Sequence, residues 1–270
     1  MARTPSPLPR SFAEERRTAI LDMLEHEPTV QVSELARIFG ISAVTARADL
    51  DALAGAGKLR RTHGGAISLQ RTLTVSVQDR RVNVNAEAKR AIAEAAVGLV
   101  RDGDTLLVDS GTTALAFVRT LDARSDVTVI TADMTIADYI DESLPGVGVV
   151  VLGGSLRKGH RYLYGPLTAQ SLAALHADTA FLCPGGFVPT RGLMTDFPQM
   201  AEVKRAMMDA ADRSVALMDA SKVRAQSMLR FAGIDELDDI VMDRDPAGVI
   251  AAMIAELPEN GRPALHVAVR

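Results

Sequence analysis

Five consecutive residues, Asp109, Ser110, Gly111, Thr112 and Thr113, have the types that bind anions. They follow a short apolar run and lead into a helical pattern. Hydroxyl groups, a glycine and the free N–H groups at the start of a helix together suit a phosphate. The segment lacks the GK[ST] element of a Walker loop and does not match GxGxxG. It therefore predicts an anion site, with a plain capped turn as the alternative.

Residues at other predicted strand ends should lie near this segment, because ligands of open parallel α/β sheets bind at the carboxyl ends of the strands. Lys89 and Lys222 would supply positive charge for a phosphate or carboxylate. Asp133 and Asp196 would accept hydrogen bonds from sugar hydroxyls. Ordinary turn chemistry and solvated charges remain the alternatives. The other candidates at this edge are Thr131, Ala132, Gly153, Gly154 and Gly185.

Residues 33 to 66 indicate a second chemistry, contact with DNA. Their pattern predicts two short helices joined by a turn at Gly40 and followed by a basic hairpin. This is the layout of a winged helix-turn-helix whose second helix enters the major groove. Ser33 and Ser42 precede the two apolar periodic runs and are expected to cap the helices.

The second helix should present one face to DNA. At about 100° per residue, Ala46, Leu50 and Leu53 share an inward face. Thr45 and Arg47 are the leading contacts to bases and phosphates. Helix capping by Thr45 and a solvated Arg47 are the alternatives. The outward face and its flank carry Val44, Thr45, Arg47 and Ala48.

The predicted hairpin is basic from residue 58 to residue 71, which suits phosphate contacts. Such contacts supply affinity and little sequence information, and a charge run alone is usually a solvated face. Gly64 and Gly65 would allow a sharp turn, and His63 would be a phosphate or structural contact. The cations of this wing are Lys58, Arg60, Arg61 and Arg71.

The 270 residues suit two domains better than one. Formal net charge is -4, yet residues 1 to 70 hold nine Lys and Arg against eight Asp and Glu, so the acidic excess lies elsewhere. Electrostatic footprints are local. DNA binding by the first domain is therefore compatible with the global charge.

Composition also excludes several classes of site. The single cysteine, Cys183, excludes an intrachain disulfide and a cysteine zinc cluster. The five histidines show no ligand spacing, so we expect no metal and no cofactor. No apolar stretch reaches about 18 residues, and the proline-rich N-terminus does not resemble a secretory signal. We expect a cytoplasmic protein.

Alternating helical and apolar patterns after residue 85 predict a doubly wound, mostly parallel α/β sheet covered on both faces. The predicted organisation is a disordered arm over 1–10, a winged helix-turn-helix over 11–67, a linker over 68–85 and a sensor domain over 86–270. Predicted strands are Thr105–Val108, Val127–Thr131, Val147–Leu152, Thr179–Cys183, Ser214–Met218, Asp239–Met242 and Leu265–Val269. Predicted helices are Ser11–His26, Glu87–Val100, Thr113–Leu121, Met134–Glu142, Leu167–His176, Met200–Ala211 and Ala247–Glu256.

From about residue 14 onward the chain resembles the DeoR family of bacterial transcriptional regulators. The ordered motifs are SELARIFGIS, TARADLDAL, RTHGGA, EAKRAIAEAA, DGDTLLVDSGTT, VTVITAD, VVLGG, YGP, DTAFL, EVKRAMM and DASK. The resemblance implies a winged helix-turn-helix joined to a Rossmann-like sensor domain similar in fold to sugar-phosphate isomerases. It implies that the DSGTT segment holds an effector phosphate, with Lys89, Thr131, Gly153, Gly154 and Lys222 around it.

The sequence departs from the family's usual motifs at two places, one in the predicted DNA-contacting helix and one at the predicted sugar site. The family's usual TIRRDL is TARADL here, so Ala46 shrinks a core contact and Ala48 removes an exposed cation. The family's usual TN is Thr131-Ala132, followed by Asp133. The first departure predicts altered operator preference or fewer phosphate contacts. The second puts the usual contacts to the sugar in question.

The resulting hypothesis is a homodimeric or homotetrameric repressor of a carbohydrate operon that binds double-stranded operator DNA and is released by a phosphorylated sugar. It would not be an enzyme. One alternative is an active sugar-phosphate isomerase or deaminase that uses Asp196 or Glu202 for proton transfer. Another is a sequence-tolerant chromosome-binding protein whose second domain only oligomerises.

Overall fold

The computed structural model describes residues 13–26, 29–62, 64–68, 83–225 and 227–268. The chain divides into two compact units, residues 1–76 and 77–270. This division falls inside the predicted linker. The predicted arm over 1–10 and most of the predicted linker lie outside the described residues, as does the predicted contact His63.

Within its described residues, the first unit has three helices packed around an apolar core, with a small antiparallel sheet beside them. The sheet has the order β1-β3-β2. Ile20, Leu35 and Leu50 are fully buried, and so is Ala46, as the inward face of the second helix of the motif predicts. The elements are α1 Ala13–His26, β1 Thr29–Gln31, α2 Val32–Phe39, α3 Ala43–Gly55, β2 Leu59–Arg61 and β3 Gly65–Ser68.

The two helices of the motif begin differently. Ser42 caps α3 as predicted, because its side chain accepts the N–H of Thr45 at 3.1 Å. The prediction for Ser33 is wrong: α2 begins at Val32, and its N-cap Gln31 makes no side-chain cap. Gly40 ends α2 with φ of 62°, a left-handed conformation that glycine adopts without strain. This turn separates α2 from α3.

Gly65 has a different role from the one expected. It lies at the start of β3, and its φ is not positive. A Cβ there would stand 1.8 Å from the carbonyl oxygen of Val30 on the neighbouring β1. The residue is therefore glycine because two strands approach closely, rather than because the chain turns sharply.

The second unit is built on a seven-stranded sheet with the order β15-β14-β12-β9-β4-β5-β6. Every pair in it is parallel. Each of its strands corresponds to a strand predicted from sequence, with bounds that differ by at most a few residues. The strands are β4 Thr105–Val108, β5 Thr128–Thr131, β6 Gly148–Val151, β9 Ala177–Leu182, β12 Ala211–Leu217, β14 Asp239–Met242 and β15 Ala264–Val267.

Helices cover the sheet, and two separate apolar clusters lie against it. One cluster includes Leu107, Leu182 and Met207, and the other includes Leu106, Phe117 and Phe181. Alternate residues of β4 thus enter different clusters, as a strand buried on both faces requires. The helices are α4 Ala86–Val97, α5 Thr112–Val118, α6 Met134–Ser143, α7 Pro166–Ala173, α8 Pro198–Asp209 and α9 Val249–Glu256.

Five short strands outside the main sheet are absent from the sequence prediction. β7 and β8 form a two-stranded hairpin, and β10, β11 and β13 form a three-stranded antiparallel sheet. The hairpin is fixed to the end of β5, since Leu163 N–H donates to Ala132 O and Met134 N–H donates to Arg161 O, each at 2.8 Å. Their bounds are β7 Ser155–Arg157, β8 Tyr162–Tyr164, β10 Gly186–Val188, β11 Gly192–Thr195 and β13 Leu229–Ala232.

A buried carboxylate joins α1 to α3 in the first unit. Asp49 is 2% exposed. Its two oxygens accept hydrogen bonds from Arg16 Nε at 2.8 Å and from Arg17 Nε at 3.2 Å. Asp49 lies on α3 between the outward Ala48 and the buried Leu50. The ion pairs therefore set how α3 packs against α1 while its outward face stays accessible.

Replacing Asp49 should weaken the first unit strongly. In Asp49→Ala the guanidinium groups of Arg16 and Arg17 lose this carboxylate, and removal of one partner of a buried ion pair costs about 3–5 kcal/mol. We expect amide hydrogen exchange in residues 13–62 of the full chain to speed up about 100-fold or more. Asp51→Ala is the matched control, because the Asp51–Arg61 pair is exposed and such pairs are worth about 1 kcal/mol or less. Equal exchange in the two variants would contradict the structural role of Asp49.

Candidate functional site

A cavity of about 450 Å³ opens in the second unit where β4, β9 and β12 end. The hairpin β7–β8, the residues after β11 and the start of α4 complete its wall. It lies at the carboxyl ends of parallel strands, where α/β sheets bind ligands. The predicted residues that line it are Lys89, Ser110, Gly111, Thr112, Thr113, Gly185, Asp196 and Lys222.

The DSGTT segment is shaped by carboxylates behind it. Gly111 has φ of 134° and stands at the N-cap of α5, and its N–H donates to Asp133 Oδ2 at 3.2 Å. Asp109 is 2% exposed and accepts the N–H of Ser110 at 2.8 Å. These bonds leave the side chains of Ser110 and Thr112 on the cavity wall. Asp109 therefore shapes the segment and does not line the cavity.

Asp109 also holds a buried cation that the sequence reasoning missed. Lys204, on α8, is 3% exposed and forms an ion pair with Asp109. Its ammonium also donates to the carbonyl of Cys183 at 2.9 Å, and the Cys183 N–H donates to Asp109 at 2.8 Å. The charge of Lys204 is thus compensated inside the protein. The ion pair connects the ends of β4 and β9 to α8.

Two predicted lysines line the cavity in different surroundings. Lys89 is 7% exposed, and its ammonium donates to the carbonyl of Val84. Lys222 is partly buried at the end of a short 3₁₀ turn that Asp219 caps by accepting the N–H of Ser221 at 2.9 Å. Within the described ranges, the ammonium group of Lys222 has neither a hydrogen-bond partner nor an ion-pair partner, whereas its backbone N–H donates to Asp219 O at 2.9 Å. Its charge is available to a ligand.

Asp196 and Gly185 lie on the side of the cavity that the small antiparallel sheet forms. Asp196 is exposed, and one of its oxygens accepts Ser227 Oγ at 2.7 Å and the N–H of Met228 at 3.2 Å. The N–H of Gly185 donates to Met194 O at 2.8 Å. Asp196 can still accept a hydrogen bond from a ligand hydroxyl, as the sequence suggests, because both of these bonds go to Oδ1 and leave Oδ2 out.

Five other predicted residues lie outside the cavity lining. Thr131 is fully buried and donates to Val108 O at 2.8 Å. Asp133 is fully buried and caps α6 by accepting the N–H of Thr135 at 2.8 Å. The carbonyl of Gly153 accepts Thr168 Oγ1 at 2.6 Å. These residues position the wall, and the remaining two are Ala132 and Gly154.

The hairpin β7–β8 brings unpredicted residues to the cavity. Arg157 at the end of β7 stacks over the ring of Phe197, with 4.0 Å from its guanidinium carbon to the ring centre. Its guanidinium also donates to the hydroxyl of Tyr162. Burial raises the pKa of that hydroxyl, and the bond from Arg157 partly opposes the shift. The two strands of the hairpin have three residues each, so the sequence carries no periodic signal for them.

The predicted DNA-binding residues of α3 are largely accessible. Val44 is 71% exposed, and Arg47 and Ala48 are exposed as well. Thr45 is partly buried, and its hydroxyl lies 2.9 Å from that of Ser42. Thr45 therefore takes part in the cap, which was the alternative to a DNA contact, while Arg47 stays available.

The wing contains cations of two kinds. Lys58 and Arg60 are exposed and suit phosphate contacts. Arg61 donates to the carboxylate of Asp51 at 2.7 Å and to the carbonyl of Gly65 at 2.6 Å, so part of its charge is used within the wing. Two further predicted contacts, Ser33 and Gly64, are exposed.

Metal-binding clusters and membrane-spanning helices are both absent from the part of the chain that the structure describes. It contains no group of three or more His, Cys, Asp or Glu placed to hold a metal ion. It also contains no helix long and apolar enough to cross a bilayer.

A helix-turn-helix unit and a parallel α/β unit with a polar cavity define a DNA-binding regulator with a sensor domain. Two family models match the chain: the DeoR-like helix-turn-helix domain over residues 16–72 and the DeoR C terminal sensor domain over residues 84–244. The chain belongs to the DeoR family of transcriptional regulators.

Several relatives match most of the chain. The transcriptional repressor GlcR of Bacillus subtilis is 33% identical, over 87% of this chain and 90% of its own length. A putative aga operon transcriptional repressor of Escherichia coli O157:H7 is 33% identical, over 85% and 86%. The transcriptional repressor AccR of Agrobacterium fabrum is 32% identical, over 90% and 95%.

Solved structures with a related fold are more distant. Ribose 5-phosphate isomerase A of Methanocaldococcus jannaschii has a TM-score of 0.39 and 21% identity, over 52% of this chain and 55% of that chain. The beta subunit of eIF2B from Chaetomium thermophilum has a TM-score of 0.47 and 14% identity, over 66% and 57%.

The single cysteine lies at the cavity and is chemically quiet. Burial raises the pKa of the Cys183 thiol to about 12, and the nearby Asp109 carboxylate acts in the same direction. The thiolate is the reactive form, so a raised pKa suppresses alkylation at moderate pH. Cys183 therefore contributes packing to the wall.

At about pH 8.5 we expect iodoacetamide to alkylate Cys183 at least about a hundredfold more slowly in the folded chain than in urea. The measurement is the labelled fraction by mass spectrometry, and the label has one target because the chain has one cysteine. Cys183→Ser should take up no label. Similar rates in the folded and unfolded chains would show that the thiol is neither buried nor shifted.

Proposed function

We propose that this chain represses a carbohydrate operon and that a phosphorylated sugar, when bound, releases the repressor from DNA. The observation that carries the proposal is the cavity where the DSGTT segment meets an uncompensated Lys222. Hydroxyls of Ser110 and Thr112 with a nearby ammonium suit a phosphate. The relatives named as repressors, one of an aga operon, support the same function.

Operator recognition would use α3 and the wing. Arg47 on the exposed face of α3 is proposed to contact base edges or phosphates, with Lys58 and Arg60 on phosphates. A homodimer or homotetramer would place pairs of α3 on half-sites about one helical turn apart or a multiple of it. Sugar binding would shift the population between DNA-competent and incompetent states, with a coupling of about 1–3 kcal/mol.

A regulator is favoured over a sugar-phosphate isomerase or deaminase by the position of the proposed proton-transfer groups. Glu202 is exposed on α8 and does not line the cavity. Asp196 lines the cavity, yet one of its oxygens serves Ser227 and Met228. Of the two carboxylates that the sequence offered for proton transfer, Asp196 alone therefore lines the cavity.

Arg47→Ala should lower affinity for the operator by about 5- to 150-fold, as the loss of about 1–3 kcal/mol from a base contact implies. The measurement is a gel shift with the DNA upstream of the chain's own gene at physiological salt. Arg101→Ala, an exposed arginine in the second unit, is the matched control and should bind as the unaltered chain does. Equal affinity of the unaltered chain for random DNA would instead favour a sequence-tolerant chromosome-binding protein.

Lys222→Ala should weaken binding of the phosphorylated sugar about tenfold or more, because a charge-assisted hydrogen bond is worth about 1.5–3 kcal/mol. The measurement is thermal stabilisation of the full chain across a panel of sugar phosphates, followed by calorimetry on those that bind. A Thr112/Thr113 double-alanine variant should lose stabilisation too, whereas Lys58→Ala in the first unit should keep it. If no sugar phosphate stabilises the unaltered chain, the sensing function is refuted.

A further inference from the structure

We infer that the sensed molecule carries two acidic groups, and that Arg157 binds the one that the DSGTT segment does not. This inference rests on the proposed sensing of a phosphorylated sugar and narrows the class of that sugar. The second group would be a phosphate or a carboxylate.

Four cationic side chains line the cavity, and one of them, Lys89, donates to the carbonyl of Val84. Lys204 is paired with the buried Asp109. The carboxylates that line the cavity are Asp196 and Asp219, and their hydrogen bonds go to hydroxyl, amide and backbone N–H groups. In the described ranges, neither Arg157 nor Lys222 lies within ion-pair distance of a carboxylate. An acidic ligand is the natural complement of both.

The two uncompensated cations come from opposite sides of the cavity. Lys222 follows β12, whereas the hairpin that carries Arg157 is bonded to the residues after β5. In the sheet, β9 and β4 lie between β12 and β5. Neighbouring strands are about 4.8 Å apart, so the two anchoring strands are separated by about 14 Å. The DSGTT segment, after β4, lies between them.

Arg157 is fixed where it stands. Its guanidinium stacks 4.0 Å over Phe197 and donates to the hydroxyl of Tyr162, whose ring lies 5.5 Å away. A guanidinium has five N–H donors, and one bond to a hydroxyl leaves most of them available. A fixed, planar fork of this kind binds a carboxylate or phosphate through two parallel hydrogen bonds. The stack therefore prepares Arg157 for a second acidic group.

A single phosphate would leave this arrangement unbalanced. A phosphate monoester at pH 7 carries a charge of about -1.5 to -2, which the hydroxyls of the DSGTT segment and Lys222 can satisfy. Arg157 would then stay in the cavity without a counter-charge, at a desolvation cost. A ligand with a second acidic group removes that cost, whereas a neutral sugar or a sugar monophosphate does not.

The test compares matched ligands with the full chain by calorimetry. For each of glucose, fructose, mannose and ribose, the probes are the monophosphate, the bisphosphate and the phosphorylated sugar acid where one exists. In the series that binds, we expect a doubly acidic member to bind at least about tenfold more tightly than the monophosphate. The bisphosphate and the sugar acid show which second group is used.

Variants at Arg157 separate a ligand contact from a structural role. Arg157→Met should weaken the doubly acidic ligand at least about tenfold more than the monophosphate and so abolish its advantage. Arg157→Lys, which keeps the charge and loses the fork, should retain part of the advantage. Arg161→Met is the matched control on the same hairpin, because Arg161 pairs with the exposed Asp138; it should bind as the unaltered chain does.

Each outcome decides between the two levels of the proposal. If the monophosphate binds as tightly as its doubly acidic counterparts, or if Arg157→Met weakens all ligands of a series equally, the second acidic group is refuted and sensing of a sugar phosphate stands. If no member of any series binds, sensing of a sugar phosphate is refuted as well.

Discussion

The geometry of the cavity depends on one buried carboxylate, Asp109. It accepts the N–H of Ser110 and the N–H of Cys183, and it pairs with the ammonium of Lys204. The ends of two neighbouring strands, β4 and β9, and the helix α8 are thereby held by a single side chain. A buried ion pair of this kind contributes little net stability, since desolvation offsets attraction, but its loss would leave a buried charge. Its value here is positional: it fixes where the DSGTT segment leaves the sheet.

The same carboxylate divides the cavity charges into two groups. Lys204 is neutralised by Asp109 and belongs to the framework. Arg157 and Lys222 lack carboxylate partners among the described residues and face the cavity. Counting all cationic side chains near a cavity would therefore overstate the charge that a ligand meets. The uncompensated cations alone are the positive charge that the cavity offers to a ligand, and the strands that anchor them lie three positions apart in the sheet.

Sequence patterns predicted the main sheet and its helices, because buried parallel strands are continuous apolar runs separated by amphipathic helices. They also predicted the DSGTT segment, Lys89 and Lys222 at one edge. The hairpin with Arg157 was missed because its two strands have three residues each, too short for a periodic signal. Lys204 was missed because its position on a helix suggests an exposed charge, and burial depends on a partner 95 residues away. Ser33 was misassigned because the helix begins two residues earlier than a cap at Ser33 implies, with Gln31 as its N-cap.

In the DNA-binding unit, stability and recognition are assigned to neighbouring residues on α3. Ala46, Asp49 and Leu50 are buried and attach the helix to the unit, whereas Arg47 and Ala48 are exposed. Because Ala48 is exposed, its departure from the TIRRDL pattern alters the outward face of α3 without disturbing the Asp49 ion pairs. An exposed substitution away from caps and ion pairs usually changes stability by about 0.5 kcal/mol or less. Operator preference can thus diverge at this position while the fold of the unit is kept by the residues on either side.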